Sequence, residues 1–381
     1  MQAFAELGRE VKFDRRPAYL LISHNDIIWT TNMTPDNKII VTGGAGYIGS
    51  HTVVELFNAG YVPVIVDDFS NADHRVLDRL RAILGQPVTC HEGDCKDAAF
   101  LSRVFTKESG ITGVIHFAAF KAVGESVQEP LKYYHNNLMS LVVLLKAMMA
   151  GGVSHLVFSS SCTVYGQPDH LPVTEETLKK PAFSPYGRTK QICEEILEDT
   201  VKSHAPLKVM ALRYFNPIGA HPSSLIGELP LGVPNNLVPF ITQTAAGIRE
   251  KLTVFGDDYD TLDGTCVRDY IHVVDLGTAH VKALQNLEKI SKKTYYDVVN
   301  IGTGKGNSVM EVIQVFEKVT NVRVNYVIGK RREGDIEKIY ANADKSRRVL
   351  NWQTQLSLED ALRDAWHWQK RLGEASSRVA S

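Results

Sequence analysis

From Lys38 onward the apolar positions alternate between two textures, short unbroken β-branched runs and longer stretches with helical spacing. The runs are "KIIVT", "VPVIVDD", "PVTCHEGD", "GVIHFAA" and "HLVFSSS". Between them lie Tyr47 to Ala59, His74 to Leu84, Ala98 to Lys107 and a span from about Leu131 to Met149. Apolar strands that alternate with helices call for a parallel sheet covered on both faces. The predicted class is α/β, a Rossmann-type doubly wound parallel sheet with a smaller mixed α/β lobe.

That regularity fails after "RYFNPIGAHP", where Pro217, Pro222, Pro230, Pro234 and Pro239 crowd into loops. A second lobe is therefore expected over residues 216–373, after a first over 37–215, with 374–381 as a tail. "RDYIHVVDLGTAHVKAL" and "YYDVVNIGTG" each read as strand followed by helix and are expected to return to the main sheet. Residues 1–36 mix acids and bases without a signal-peptide core or the acid-poor face of a transit peptide. Met33 stands just before the first strand, so residues 1–32 are expected to be an extension outside the fold, dispensable for activity and solubility.

Composition narrows the partners. With 42 Lys+Arg against 43 Asp+Glu in 381 residues, no broad basic field is available for nucleic acid or an acidic membrane. The longest apolar stretch, Leu141 to Gly152, is interrupted by Lys146 and falls short of the roughly 20 residues that span a bilayer. Cys90, Cys95, Cys162, Cys193 and Cys266 show neither paired metal-ligand spacing nor an even count. A reducing, cytoplasmic setting without a bound metal is expected.

Candidate chemistry begins at "VTGGAGYIGS", which follows the first strand and opens the first helix. Its glycines fit two registers, Gly44-Gly46-Gly49 and Gly43-Gly46-Gly49; in either, bare backbone and a helix N-terminus can receive a pyrophosphate. Asp67 and Asp68 end the second run about 20 residues on, where a carboxylate accepts from ribose hydroxyls and repels a 2′-phosphate. NAD is favoured over NADP, and Asp94 could face the adenine. "FSSSCTVYG" ends a later strand, and "SPYGRTK" opens a helix beyond it, with Ser184 as cap and Pro185 at the first position. Tyr186 and Lys190 then share a face, where the ammonium is expected to lower the phenol's pKa and make it a base; Ser161 would hydrogen-bond a substrate alcohol, with Ser159 and Ser160 as alternatives better suited to structural roles.

Together with "HFAAFKAVGESV", "RYFNPIGAHP", "GTCVRDYIHVVDL" and "RREGD", these phrases resemble the extended short-chain dehydrogenase/reductase family, and within it the UDP-glucose 4-epimerases. The likeness covers about Asn37 to Gly373 and selects the register Gly43-Gly46-Gly49. It implies a bound NAD held by Gly43, Gly46, Tyr47, Ile48, Gly49, Asp67, Asn71, Asp94, Phe117, Ala118, Lys121, Tyr186 and Lys190. Tyr186, Ser161 and Lys190 would be catalytic in a reversible oxidation at sugar C4 that interconverts UDP-galactose and UDP-glucose. Asn216, Asn236, Leu237, Thr253, Phe255, Arg268, Arg332 and Asp335 would hold the nucleotide, beside Ser161 and Tyr186 at the sugar. Ile339 falls where residue size varies among relatives; isoleucine is intermediate in size and branched, and leans only weakly against N-acetylated sugars. A homodimer is also implied. The sequence departs from the familiar pattern at Cys162 and Ala119. A related 4,6-dehydratase would need Asp-Glu beside the serine-strand threonine, where this chain has Cys162, Thr163 and Val164. No extra cation marks a uronate epimerase, and a nucleotide-sensing protein would not need Ser161, Tyr186 and Lys190 together.

Overall fold

The computed structural model describes residues 37–332 and 335–380, with side chains through Glu374. The expected extension over 1–36 therefore lies outside the described residues, as do Glu333 and Gly334 of "RREGD". The first strands are β1 (Lys38–Thr42), β2 (Val62–Asp67), β3 (Thr89–Glu92), β4 (Ile111–His116), β5 (His155–Ser161) and β6 (Lys208–Tyr214). Between them run α1 (Tyr47–Asn58), α2 (Arg75–Leu84), α3 (Ala98–Lys107), α4 (Val123–Gln128), α5 (Pro130–Ala150) and α6 (Pro185–Lys202), with a 3-10 turn at Cys162–Tyr165. Ile39, Ile40 and Val41 of β1 have no exposed surface, which is why that strand reads as unbroken apolar sequence.

The second lobe contains β7 (Asn216–Ile218), α7 (Leu237–Ala245), β8 (Leu252–Phe255), β9 (Val267–Arg268) and β10 (Tyr270–His272), after which α8 (Val273–Lys289) and β11 (Tyr295–Ile301) run back. It resumes with β12 (Asn307–Ser308), α9 (Val309–Thr320), β13 (Tyr326–Gly329) and β14 (Lys338–Ile339), followed by α10 (Asp344–Leu350) and α11 (Leu358–Ala380). The main sheet has seven parallel strands in the order β3-β2-β1-β4-β5-β6-β11. One face packs on α1 and α8 through Val53, Leu56, Leu276 and Leu284; the other packs on α3, α5 and α6 through Leu101, Leu144 and Leu197. The second lobe has its own core of Ile241, Val254, Ile313, Phe316 and Leu362.

The two candidate returning segments behave differently. β11 pairs with β6 along its whole length, from Tyr295 opposite Lys208 to Ile301 opposite Tyr214. β10, from "RDYIHVVDL", instead pairs with β7 in a separate two-stranded sheet, and only its helix α8 returns to the main layer. A strand of three residues is too short to extend a sheet edge seven residues long, whereas Gly277 lets α8 close on α1. The order of strands reverses between β1 and β4, which is where ligands bind in open sheets of this kind. There Thr42 lies opposite both Val66 and His116, so Gly43, Asp67 and Phe117 leave the sheet level with one another.

Candidate active site

Backbone sterics define the cradle above β1. Gly43 has φ +70°, and a side chain there would place Cβ 2.8 Å from Ala118 N. A Cβ on Gly44 would stand 2.8 Å from the Val41 carbonyl oxygen, and on Gly49 only 2.1 Å from that of Gly43. Gly46 is the least crowded, with 3.2 Å to the Gly43 carbonyl oxygen, so protein packing alone does not require a glycine at that position. Gly46 N-caps α1 with no side-chain cap and no acid in the first turn, whereas Ser184 caps α6 and Ser308 caps α9. Among the described residues the opening N–H groups of Tyr47 and Ile48 meet no side-chain acceptor, and the first turn of α1 carries no acid of its own; a pyrophosphate suits such a helix end.

Asp67 is buried, and its carboxylate accepts from Ala45 N at 2.9 Å and Phe69 N at 3.0 Å. Burial raises its pKa, against the pull of those N–H groups and with Asp68 adding to the rise. Its remaining lone pairs suit ribose hydroxyls. Asp68 is exposed and accepts from Ser70, Asn71 is exposed in the following turn, and Asp94 pairs with Lys96 at 2.9 Å. Phe117 packs on the His280 ring with centroids 4.6 Å apart. Lys121 lies 6.0 Å from the Tyr47 ring and pairs with Glu228 at 3.3 Å. Tyr47 itself donates to the Gly219 carbonyl oxygen at 2.7 Å, tying the cradle to the second lobe.

Ser161 ends β5 and caps the 3-10 turn by accepting from Thr163 N. Across from it, Ser184 Oγ accepts from Gly187 N at 3.1 Å and starts α6 so that Tyr186 and Lys190 point inward. Lys190 is buried, its Nζ donating to the Ser159 carbonyl oxygen at 2.7 Å and lying 6.0 Å from the Tyr186 ring centroid. Burial lowers its pKa to about 8, although Cys193 and Glu194 push the other way.

The Tyr186 phenol departs from the expectation. Burial, then the neighbouring Tyr214, push its pKa well above that of an ordinary phenol, and hydrogen bonding with Ser161 only partly offsets this. Burial is the main reason; the shared helix face does bring Lys190 near the ring, with its ammonium donating to a carbonyl of β5. A helical spacing reports which side chains are neighbours and leaves open where the charge is aimed.

In the second lobe, Asp335 gathers two of the expected cations. Arg332 Nη2 reaches Asp335 Oδ1 at 2.6 Å and Arg268 Nη2 reaches it at 4.0 Å, while the Arg332 guanidinium lies 5.6 Å from the Phe255 ring centroid. Thr253 shares β8 with Phe255. Asn216 begins β7 beside Tyr270. Leu237 starts α7, and its N-cap Asn236 makes no side-chain cap bond but turns toward Glu228 at 2.5 Å. Ile339 is buried among Cys162, Val164, Tyr165 and Phe215, immediately beyond Ser161.

The family model described as GDP-mannose 4,6 dehydratase matches residues 40–365. The UDP-glucose 4-epimerase of Bacillus subtilis (strain 168) is 51% identical over 331 residues, covering 87% of this chain and 96% of its own. UDP-glucose 4-epimerase 2 of Arabidopsis thaliana is 49% identical over 334 residues, covering 87% and 94%. The chain belongs to the UDP-glucose 4-epimerase family. Among solved members, the Stenotrophomonas maltophila UDP-glucose 4-epimerase with bound NAD and formylated UDP-arabinopyranose superposes with a TM-score of 0.85 at 47% identity, over 89% of this chain and 99% of that one. The Bifidobacterium longum UDP-glucose 4-epimerase in complex with NAD+ and UDP gives 0.84 at 46% identity, over 88% and 98%.

Two polar residues of this epimerase chain escaped the sequence reading. Asn137 on α5 accepts from Phe120 N, donates to the Phe120 carbonyl oxygen and donates to Thr189 Oγ1, joining the loop after β4 to α6. Its signal was an asparagine on the buried side of a largely apolar helix. Thr163 carries a buried hydroxyl with no hydrogen-bond partner among the described residues, two residues past Ser161. It was visible in "SSSCT", but only its environment distinguishes it from a core threonine.

Proposed function

We propose that this chain interconverts UDP-galactose and UDP-glucose by reversible oxidation at sugar C4, through the residues that meet at the ends of β5 and α6. The observation that carries the reading is the convergence of Ser161, Tyr186 and Lys190 beside a glycine cradle whose helix end is left for an anion. Bound NAD supplies the hydride acceptor, a positively charged ring and the later hydride donor, so no net oxidation results. Ser161 orients the C4 hydroxyl, and Tyr186 takes its proton and returns it. Lys190, ionising near neutrality, holds the strand end and keeps positive charge close to the phenol. The dry pocket that raises the phenol also strengthens the action of any cation beside it, so the positive ring of an oxidised nicotinamide held in the cradle would favour Tyr186 as the base. Arg268 and Arg332 grip the diphosphate as a pivot, leaving the 4-keto sugar free to turn its other face.

A 4,6-dehydratase, the description carried by the matching family model, is disfavoured by the residues after Ser161. Elimination needs an acid and a base there. Cys162 is buried with its thiol pushed up to about 12, and Val164 is a fully buried apolar side chain. Purified protein given UDP-galactose should form UDP-glucose without added redox equivalents, and Tyr186→Phe should lose about 10²–10⁴ in kcat while keeping its NAD. No interconversion, with the variant indistinguishable from the parent, would sink the reading.

A homodimer is supported by exposed apolar side chains on α4, α5 and just before α6, namely Val127, Leu131, Met139, Met149 and Phe183. Elution as a dimer, converted to monomer by Leu131→Glu, would bear this out. A cytoplasmic setting fits five cysteines that form no disulfide. Fractionation of cells expressing the protein would test that.

A further inference from the structure

Catalysis as proposed uses two residues on one face of α6, and the same face carries a third group with no part in the chemistry. Tyr186, Lys190 and Glu194 recur every four residues and form one stripe. Each member meets a different serine of the triplet that ends β5. Ser161 faces Tyr186 and favours its ionised form, Lys190 donates to the Ser159 carbonyl oxygen, and Ser160 Oγ donates to Glu194 Oε1 at 2.6 Å.

Glu194 is completely buried, and its charge is met by Arg213 of β6 through two parallel bonds, Nε to Oε1 at 2.8 Å and Nη2 to Oε2 at 2.7 Å. Lys179 approaches Oε2 at 3.4 Å. In the ladder, Arg213 stands opposite Ser160 on one side and Asn300 on the other. Its third nitrogen donates to Tyr165 Oη at 3.1 Å, and Tyr165 donates to Asn300 Oδ1 at 2.6 Å. The turn that follows Ser161 is thereby tied to the same cluster. A fully buried ion pair adds little net stability over apolar residues of equal volume. A two-pronged guanidinium–carboxylate fork, however, admits a narrow range of relative positions.

We propose that the Ser160–Glu194–Arg213 cluster is the positioning device of the active site, fixing the axial register of α6 on β5 and hence the placement of Tyr186 against Ser161. The inference rests on the epimerase reading given above. Glu194 touches no reacting atom, so it is a positioning residue.

Two variants test it. Ser160→Ala deletes one hydrogen bond and leaves the ion pair; Glu194→Met with Arg213→Met removes both charges together, so neither is left buried alone and net charge is unchanged. On NAD-loaded protein, the double variant should show kcat per bound NAD reduced roughly ten- to hundred-fold, with KM for UDP-galactose and NAD content close to parental values. Ser160→Ala should show a smaller loss, restored in part by Ser160→Thr.

The acid limb of the kcat–pH profile should move to higher pH, because the bond from Ser161 that favours the phenolate is loosened. Tyr186 is also faced by Lys190 on its own helix, Tyr214 of β6, Cys162 of the 3-10 turn and Tyr133 of α5; because Glu194 raises the Lys190 pKa, the double variant also changes that charge, and Ser160→Ala, which leaves every charge in place, is the arm whose pH profile decides. A folded, NAD-loaded double variant with parental kcat and pH profile would overturn the proposal. So would an activity loss that follows thermal stability and NAD content alone. If the double variant fails to fold, Ser160→Ala decides, and a parental pH profile there refutes it. A parent that does not epimerise refutes the activity itself.

Discussion

Alanine at each glycine of the cofactor loop should produce a graded series, because the room at each is different. At Gly49 the new Cβ would lie 2.1 Å from the Gly43 carbonyl oxygen and 2.8 Å from Gly44 Cα, both backbone atoms, where ordinary contact begins at 3.4 Å. Neither atom belongs to a flexible side chain, so α1 must withdraw from its own turn. Overpacking of this kind costs about 1–3 kcal/mol, and the top of that range or beyond is expected where backbone has to move. At Gly43 the clash is milder, 2.8 Å to Ala118 N, but φ of +70° adds roughly 1–2 kcal/mol for a residue with a Cβ. At Gly46, with 3.2 Å to one carbonyl oxygen, a shift of a few tenths of an ångström relieves the contact, and the cost should stay below about 1 kcal/mol. Urea unfolding and the NAD released on denaturation measure the two consequences separately. Gly49→Ala and Gly43→Ala should unfold early and purify with little NAD; Gly46→Ala should unfold like the parent while retaining less cofactor, as expected if the pyrophosphate lies against this N-cap. A Gly49→Ala protein with parental urea midpoint and full NAD would show that the turn is not the rigid cradle described. A Gly46→Ala protein with full NAD would remove that position from the site.

Glu55 gives a stability prediction with a definite sign. It lies between α1 and α8, and burial, helped by Asp275, raises its pKa from 4.5 to about 7. The folded state therefore binds this proton more tightly than the unfolded chain; the resulting stabilisation is complete below about 4.5, declines as pH rises and is gone above about 7. At 1.36 kcal/mol per unit the swing is roughly 3 kcal/mol at most. Glu55→Gln should gain on the parent between pH 5 and pH 8 in urea unfolding, and a parent–variant difference that does not change with pH would refute the assignment. Ile339→Cys should raise the ratio of kcat/KM for UDP-N-acetylglucosamine over UDP-glucose by roughly ten-fold, as expected for relief of a tight apolar contact. Equal ratios would remove Ile339 as a determinant of sugar size.

Much of the frame was written in local pattern. Unbroken apolar runs alternating with helices implied the parallel sheet because a strand covered on both faces must be apolar throughout, as Ile39, Ile40 and Val41 are. The glycine phrase, the acidic strand end and the Ser184-Pro185 helix start were legible for the same reason: each is a local solution to a backbone or capping requirement. Family resemblance then attached roles to residues as far apart as Lys121 and Asp335, which spacing alone could not relate.

Other features depended on contacts between segments distant in the chain. Which of two strand-like segments joins the main sheet was settled by pairing length, seven residues for β11 against three for β10. The direction of the Tyr186 shift reversed because burial, its largest cause, is a property of the assembled pocket. Asn137 and Glu194 looked like ordinary helix residues until α5, α6 and the strand ends enclosed them, since a polar side chain becomes a constraint only when water is excluded and its partners are fixed. The sequence by itself determined the main strands and helices and the glycine turn after β1, which follow from short-range backbone chemistry. Only the tertiary structure decided where each charge is aimed and how dry its surroundings are, because both arise from groups on different elements that the fold brings together, from Lys190 and Ser159, 31 residues apart, to Tyr165 and Asn300, 135 apart.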